Sequence, residues 1–101
     1  MEYSIENEEL TLLITKGLTA NYVSDYKLSL EKLSQMHTQY RVCILNLNQT
    51  MNIDSSGVTF VINLYKKMKS LEKEFTVIGA GEEIQDLFRL MKLDQFFELK
   101  E

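Results

Sequence analysis

Residues 54–57 read Asp54-Ser55-Ser56-Gly57: a carboxylate, two hydroxyls and a glycine set between two apolar runs. An Asp or Ser at the start of a helix accepts hydrogen bonds from the backbone N–H groups that the first turn leaves free. One such residue makes a cap. Two serines followed by glycine exceed that need, and glycine in a first turn costs about 1 kcal/mol relative to alanine. Its usual justification is the close approach of another backbone or molecule. A helix N-terminus also favours phosphate. A serine there can be phosphorylated without melting the helix, which would add about −1.5 to −2 charges beside Asp54. The stretch therefore reads as a plain cap or as a surface whose charge can be switched.

The elements that must position this stretch follow from periodicity. Residues 3–6 and 9–16 read as two strands joined tightly around Glu6-Asn7-Glu8-Glu9, with Leu10, Leu12 and Ile14 on one face. Gly17 ends the second strand. A helix is expected over 20–35, with Val23, Tyr26, Leu30 and Leu33 on one side and Thr19 or Asn21 as its cap. Residues 41–47 form the strongest strand, its Val42-Cys43-Ile44-Leu45 run apolar on both faces as in a central parallel strand. A second helix runs from the serines to about Leu71, with Gly57, Val61, Leu64, Met68 and Leu71 as its core stripe. On the same helix Val58, Ile62 and Tyr65 make another apolar stripe, about a quarter turn away. They either pack under a neighbouring element or form an exposed patch beside Ser55 that suits a partner.

Residues 74–80 are a further strand, and Gly81–Leu93 a third helix with Ile84, Leu87, Phe88 and Met91 facing inward. Residues 95–100 close the chain as a strand. The order β-β-α-β-α-β-α-β implies an α/β domain with a mixed, mostly parallel sheet covered by helices and right-handed crossovers. No proline, repeat or linker-like tract divides it, so residues 1–101 are read as one domain.

Other chemistry finds little support. The formal net charge is −4 and the basic residues form no dense block, which argues against nucleic acid. The single cysteine, Cys43, lies in an apolar run and reads as a buried, reduced thiol. The acidic N-terminus lacks a signal-peptide stretch, and no apolar run approaches the roughly 20 residues of a membrane span. A cytoplasmic protein without direct membrane insertion is expected. His37 is the only histidine, no Cys/His cluster suits zinc, and no G-x-S-x-G elbow occurs. The Gly79-Ala80-Gly81 sequence fits a tight strand-to-helix turn better than a nucleotide loop. Neither an enzyme nor a cofactor or metal is expected.

Taken whole, residues 42–70, which carry Asp54-Ser55-Ser56-Gly57 between strand and helix, resemble the hallmark segment of STAS domains, above all the bacterial anti-sigma factor antagonists. Residues 75–99 resemble the family's last strand, helix and closing strand. The sequence departs from the pattern at Gly57-Val58-Thr59, at Asn46-Leu47, and at Ala20, where the family often carries an acid. The resemblance implies that Ser55 is the phosphoacceptor, with Asp54 orienting it, Ser56 beside it and Gly57 keeping the turn open. It implies a kinase partner that is itself an anti-sigma factor using ATP, and a serine phosphatase that resets the cycle. The protein would be a substrate and binding module in partner-switching control of transcription. The family also contains STAS subunits of transporters and other complexes that never turn over phosphate, for which docking along the second helix alone would matter.

Overall fold

Asn7 and Glu8 both take positive φ, 52° and 65°. That is the backbone of a two-residue turn whose twist matches the flanking strands. It folds β1 (Glu2–Glu6) antiparallel onto β2 (Glu9–Leu13). In the computed structural model, which describes residues 1–100, these strands lead into α1 (Ala20–Gln35), β3 (Val42–Asn46), α2 (Ser55–Ser70), β4 (Glu74–Ile78), α3 (Glu82–Leu90) and β5 (Glu98–Leu99). Short 3₁₀ turns at His37–Gln39 and Leu93–Gln95 complete the connections.

The five strands lie in chain order, β1-β2-β3-β4-β5, and β2 to β5 run parallel. When each parallel step moves the same way across a sheet, right-handed crossovers put every helix on the same face. The core sits between that face and the helices. Leu10, Leu12, Ile14, Cys43, Leu45 and Val77 are fully buried there, as are Leu33, Val61 and Phe88 from the helices. Tyr26 of α1 meets Phe60 of α2 with ring centroids 5.7 Å apart. The Tyr26 hydroxyl donates to the Gly17 carbonyl, 3.0 Å away, so its one polar atom is satisfied. Burial pushes the Cys43 thiol up to about 12, which leaves it neutral and inert at ordinary pH.

The mixed α/β architecture and the order of elements agree with the sequence reading, and α1 has the expected bounds. Four local expectations are corrected. The alternate residues of β3, Val42 and Ile44, are only half-buried, because the second face of the sheet carries no helix. β2 stops at Leu13 and not at Lys16. α3 stops at Leu90 and not at Leu93, because Lys92 takes φ 61° and turns the chain. The expected last strand over 95–100 contracts to Glu98–Leu99. Its start is instead drawn into the core by Phe97, whose ring lies 5.2 Å from Phe75 and 6.3 Å from Phe88. Gly79, with φ 73°, makes the tight turn expected between β4 and α3.

Candidate functional site

Asp54 is the N-cap of α2, and its Oδ1 accepts from the Gly57 N–H at 3.0 Å. Its other oxygen, Oδ2, accepts from the Ala20 N–H, also at 3.0 Å. One carboxylate therefore closes the first turns of two helices, α1 and α2. Thr19 occupies the N-cap position of α1, as one of the two expected caps, but its side chain makes no capping bond. The acceptor comes from Asp54, 34 positions away. The backbone adds to this join. Leu18 N–H donates to the Asn52 carbonyl at 2.9 Å, and Asp54 N–H donates to the Leu18 carbonyl at 3.1 Å.

Gly57 explains itself at this join. A Cβ on Gly57 would lie 1.9 Å from the Leu18 carbonyl oxygen and 2.7 Å from its carbon. The glycine is required because another stretch of backbone crosses directly above it. Asn46, at the position where the family pattern has an acid, uses its side-chain oxygen to accept from the Asn48 N–H at 3.0 Å, which shapes the loop leading to Asp54.

The backbone N–H groups of Ala20 and then Gly57 hold the Asp54 carboxyl below the usual carboxylate range. A carboxylate with a lowered folded pKa stabilises the fold above its unfolded value, ordinarily about 3.9. That contribution disappears as pH falls through the folded value. Asp54→Ala is thus expected to lower the thermal midpoint at pH 7, with Asp54→Asn, which keeps an acceptor without the charge, falling between. Thermal scans should show the gap between wild type and Asp54→Ala closing once the pH drops below the ordinary carboxylate range. A gap that stays constant down to that pH would mean that the ionised carboxylate contributes nothing.

Ser55 is the first residue of α2 and is exposed, while Ser56 is half-buried. Ser55 stands on the ridge between two hollows. On one side a depression of about 310 Å³ is lined by Ser55, Ser56 and Thr59 together with Ser24 and Lys27 of α1. On the other, an apolar groove of about 430 Å³ runs between α2 and α3, with Ile53, Val58, Ile62, Leu87 and Met91 along its walls. Large apolar side chains stand exposed on the surface, among them Met51 at 89%, Leu90 at 79% and Phe96 at 59%.

Of the three residues expected to contact a partner, Val58 is buried, at 6% exposure, and forms part of the groove floor. Ile62 and Tyr65 are half-buried. Tyr65 sits in an aromatic cluster, with ring centroids 5.7 Å from Phe97 and 6.1 Å from Phe96. The stripe therefore packs largely under α3 and the segment that follows it, and offers only its edges. Met91, expected to face inward, is 43% exposed, because α3 ends one residue before it. Ser24, Lys27, Leu87 and Met91 join the surroundings of Ser55 through helix packing alone. Their α1 and α3 spacings gave no signal of it. Among the described residues there is no cluster of three or more His, Cys, Asp or Glu side chains that could hold a metal, and no helix long and apolar enough to cross a membrane.

No curated protein matches this sequence. Solved structures do match its shape. An anti-sigma factor antagonist candidate from Thermotoga maritima superposes with a TM-score of 0.88 at 20% identity, over 99% of this chain and 85% of that one. The anti-sigma factor antagonist SpoIIAA in its unphosphorylated form gives a TM-score of 0.71 at 14% identity, over 99% and 87% of the two chains. The Bacillus cell fate determinant SpoIIAA in its phosphorylated form gives 0.75 at 13% identity, over 97% and 88%. At these identities the likeness is one of fold. The family model of the STAS domain matches residues 5–101, and the chain belongs to the STAS domain family.

Proposed function

We propose that this STAS domain is a regulatory binding module of the anti-sigma factor antagonist type, switched by phosphorylation of Ser55. The observation that carries the reading is the position of Ser55: an exposed hydroxyl at the first residue of a helix, on the rim of an apolar groove. With the bare hydroxyl, an anti-sigma factor with serine kinase activity docks over Ser55 and the groove edge formed by Ile62, Leu87 and Met91. That kinase transfers the terminal phosphoryl group of ATP. The Ser55 oxygen forms the new P–O bond, its proton leaves, and ADP departs with the broken one. The product carries about −1.5 to −2 charges beside Asp54, which is already ionised. A partner that dries the groove must then strip water from that charge, which costs far more than burying a hydroxyl. The partner leaves, and a serine phosphatase restores the hydroxyl by hydrolysis. Asp54 holds the helix start that presents Ser55, Ser56 flanks it, and Gly57 lets the Leu18 backbone close over the turn. The module acts as a substrate and a partner, and works in the cytoplasm.

Intact mass of the protein purified from its own cells, beside Ser55→Ala, tests this. One added phosphate that the variant lacks is the expected result. A protein that carries no phosphate under any growth condition would overturn the switch. It would favour a constitutive STAS subunit of a transporter or other signalling complex, held through the same groove.

A further inference from the structure

The face of the sheet opposite the helices carries a pattern of its own. Cross-strand register sets its rows. One row reads Glu6, Glu9, Val42, Glu74. The next reads Ser4, Thr11, Ile44, Thr76, Glu98. The third reads Glu2, Leu13, Asn46, Ile78. Val42 and Ile44 of β3, with Leu13 and Ile78 diagonal to Ile44 on either side of Asn46, thus form an apolar strip broken at Asn46, half-buried and on the face away from the helices. Around it stand five carboxylates. The one lysine that follows on this face, Lys100, already pairs with Glu98 at 3.5 Å.

We propose that this face is a second docking surface, and that its occupant is a basic amphipathic helix of a partner protein. Size and charge both select that occupant. The strip spans three strands, a width of about 10 Å at the usual strand spacing, which is the diameter of one helix. Apolar residues on such a helix cover the strip while flanking Lys or Arg meet the glutamates. A second copy of this chain would bring two acidic frames together, and an anionic membrane surface would be repelled in the same way. The face lies on the far side of the sheet from Ser55, so a partner at one site leaves the other free. The module then holds two proteins at once, and this second contact is indifferent to the state of Ser55.

The test is a titration of ¹⁵N-labelled protein with a helical Leu/Lys peptide of about 14 residues, beside a Leu/Glu peptide of the same pattern. The expected result is that the basic peptide shifts the backbone amides of Thr11, Ile44 and Thr76 and the acidic one does not. Glu9 and Glu74 are exposed, so reversing both (Glu9→Lys with Glu74→Lys) keeps the fold and should weaken binding about tenfold. Ser55→Asp should bind the peptide as wild type does, which separates this proposal from the fate of the Ser55 switch. Shifts concentrated on the α2–α3 groove, equal binding of the acidic peptide, no binding of either, or a concentration-dependent dimer that hides this face would each overturn it.

Discussion

Gly57→Ala is expected to destabilise the fold by up to about 2 kcal/mol net, although alanine is the better helix former. The helix-propensity gain is about 1 kcal/mol. Against it stands a Cβ placed 1.9 Å from the Leu18 carbonyl oxygen, a main-chain atom that no rotamer change can move aside. Overpacking of this kind costs typically 1–3 kcal/mol, occasionally more, and here relief requires the backbone to separate. The Leu18 carbonyl also accepts from the Asp54 N–H, so separation loosens the bond that joins the two helix starts. Gly81 supplies the contrast. It is the N-cap of α3, with φ −66° and nothing within 4 Å of an added Cβ. Gly81→Ser should therefore be neutral or slightly stabilising, since serine is a good cap. Urea unfolding of both variants checks the pair. If Gly57→Ala matches wild type, the crossing of Leu18 over α2 is not as close as described.

How much of this was written in the sequence depends on whether a feature is local or assembled. Helix α1, the β1–β2 hairpin and the buried positions Leu10, Leu12, Ile14, Val61, Leu64 and Met68 follow from short-range periodicity and turn chemistry. The motif at 54–57 announced a helix start and a glycine under some close approach. It could not say that the approaching atom belongs to Leu18, or that Asp54 caps α1 as well as α2, because both contacts join segments far apart in the chain. The same limit hid Ser24 and Lys27, which reach the neighbourhood of Ser55 only when α1 packs on α2. Errors at the chain's end have a different origin. A short mixed segment such as Gln95–Lys100, with Phe96, Phe97 and Leu99 among polar residues, is ambiguous by pattern, and tertiary packing of Phe97 decided it against a long strand. Val58 was read as a possible surface contact because a helical stripe shows which residues share a face, not what lies over that face.

The join at Leu18, Asp54 and Gly57 also bears on how a switch could work. A phosphorylated Ser55 needs no large rearrangement, because Asp54 already fixes the turn by bonds to two separate N–H groups. On the proposed reading, what changes is charge: a partner that covers the rim at Ser55 must desolvate that charge or meet it with one of like sign.

On the proposed reading of a Ser55 switch, Ser55→Asp should weaken binding to the anti-sigma factor kinase by about a hundredfold, while Ser55→Ala binds as wild type does. The aspartate adds one full charge on the rim of the groove and beside Asp54, where the bare serine has none. Its side chain is smaller than phosphoserine and its charge lower, so the effect is a lower bound on that of the modification. The alanine removes only a hydroxyl at an exposed position, so docking persists and release by phosphorylation is lost. Calorimetric titration against the kinase gives both affinities, and thermal scans of the free variants should show both folded. Asp at the first turn of a helix is favoured by the dipole, so a weak Ser55→Asp complex cannot be blamed on unfolding. Equal affinities for the two variants would remove charge as the basis of the switch. Loss of binding in Ser55→Ala as well would mean that the hydroxyl itself is a contact, and that phosphorylation acts by occupying it.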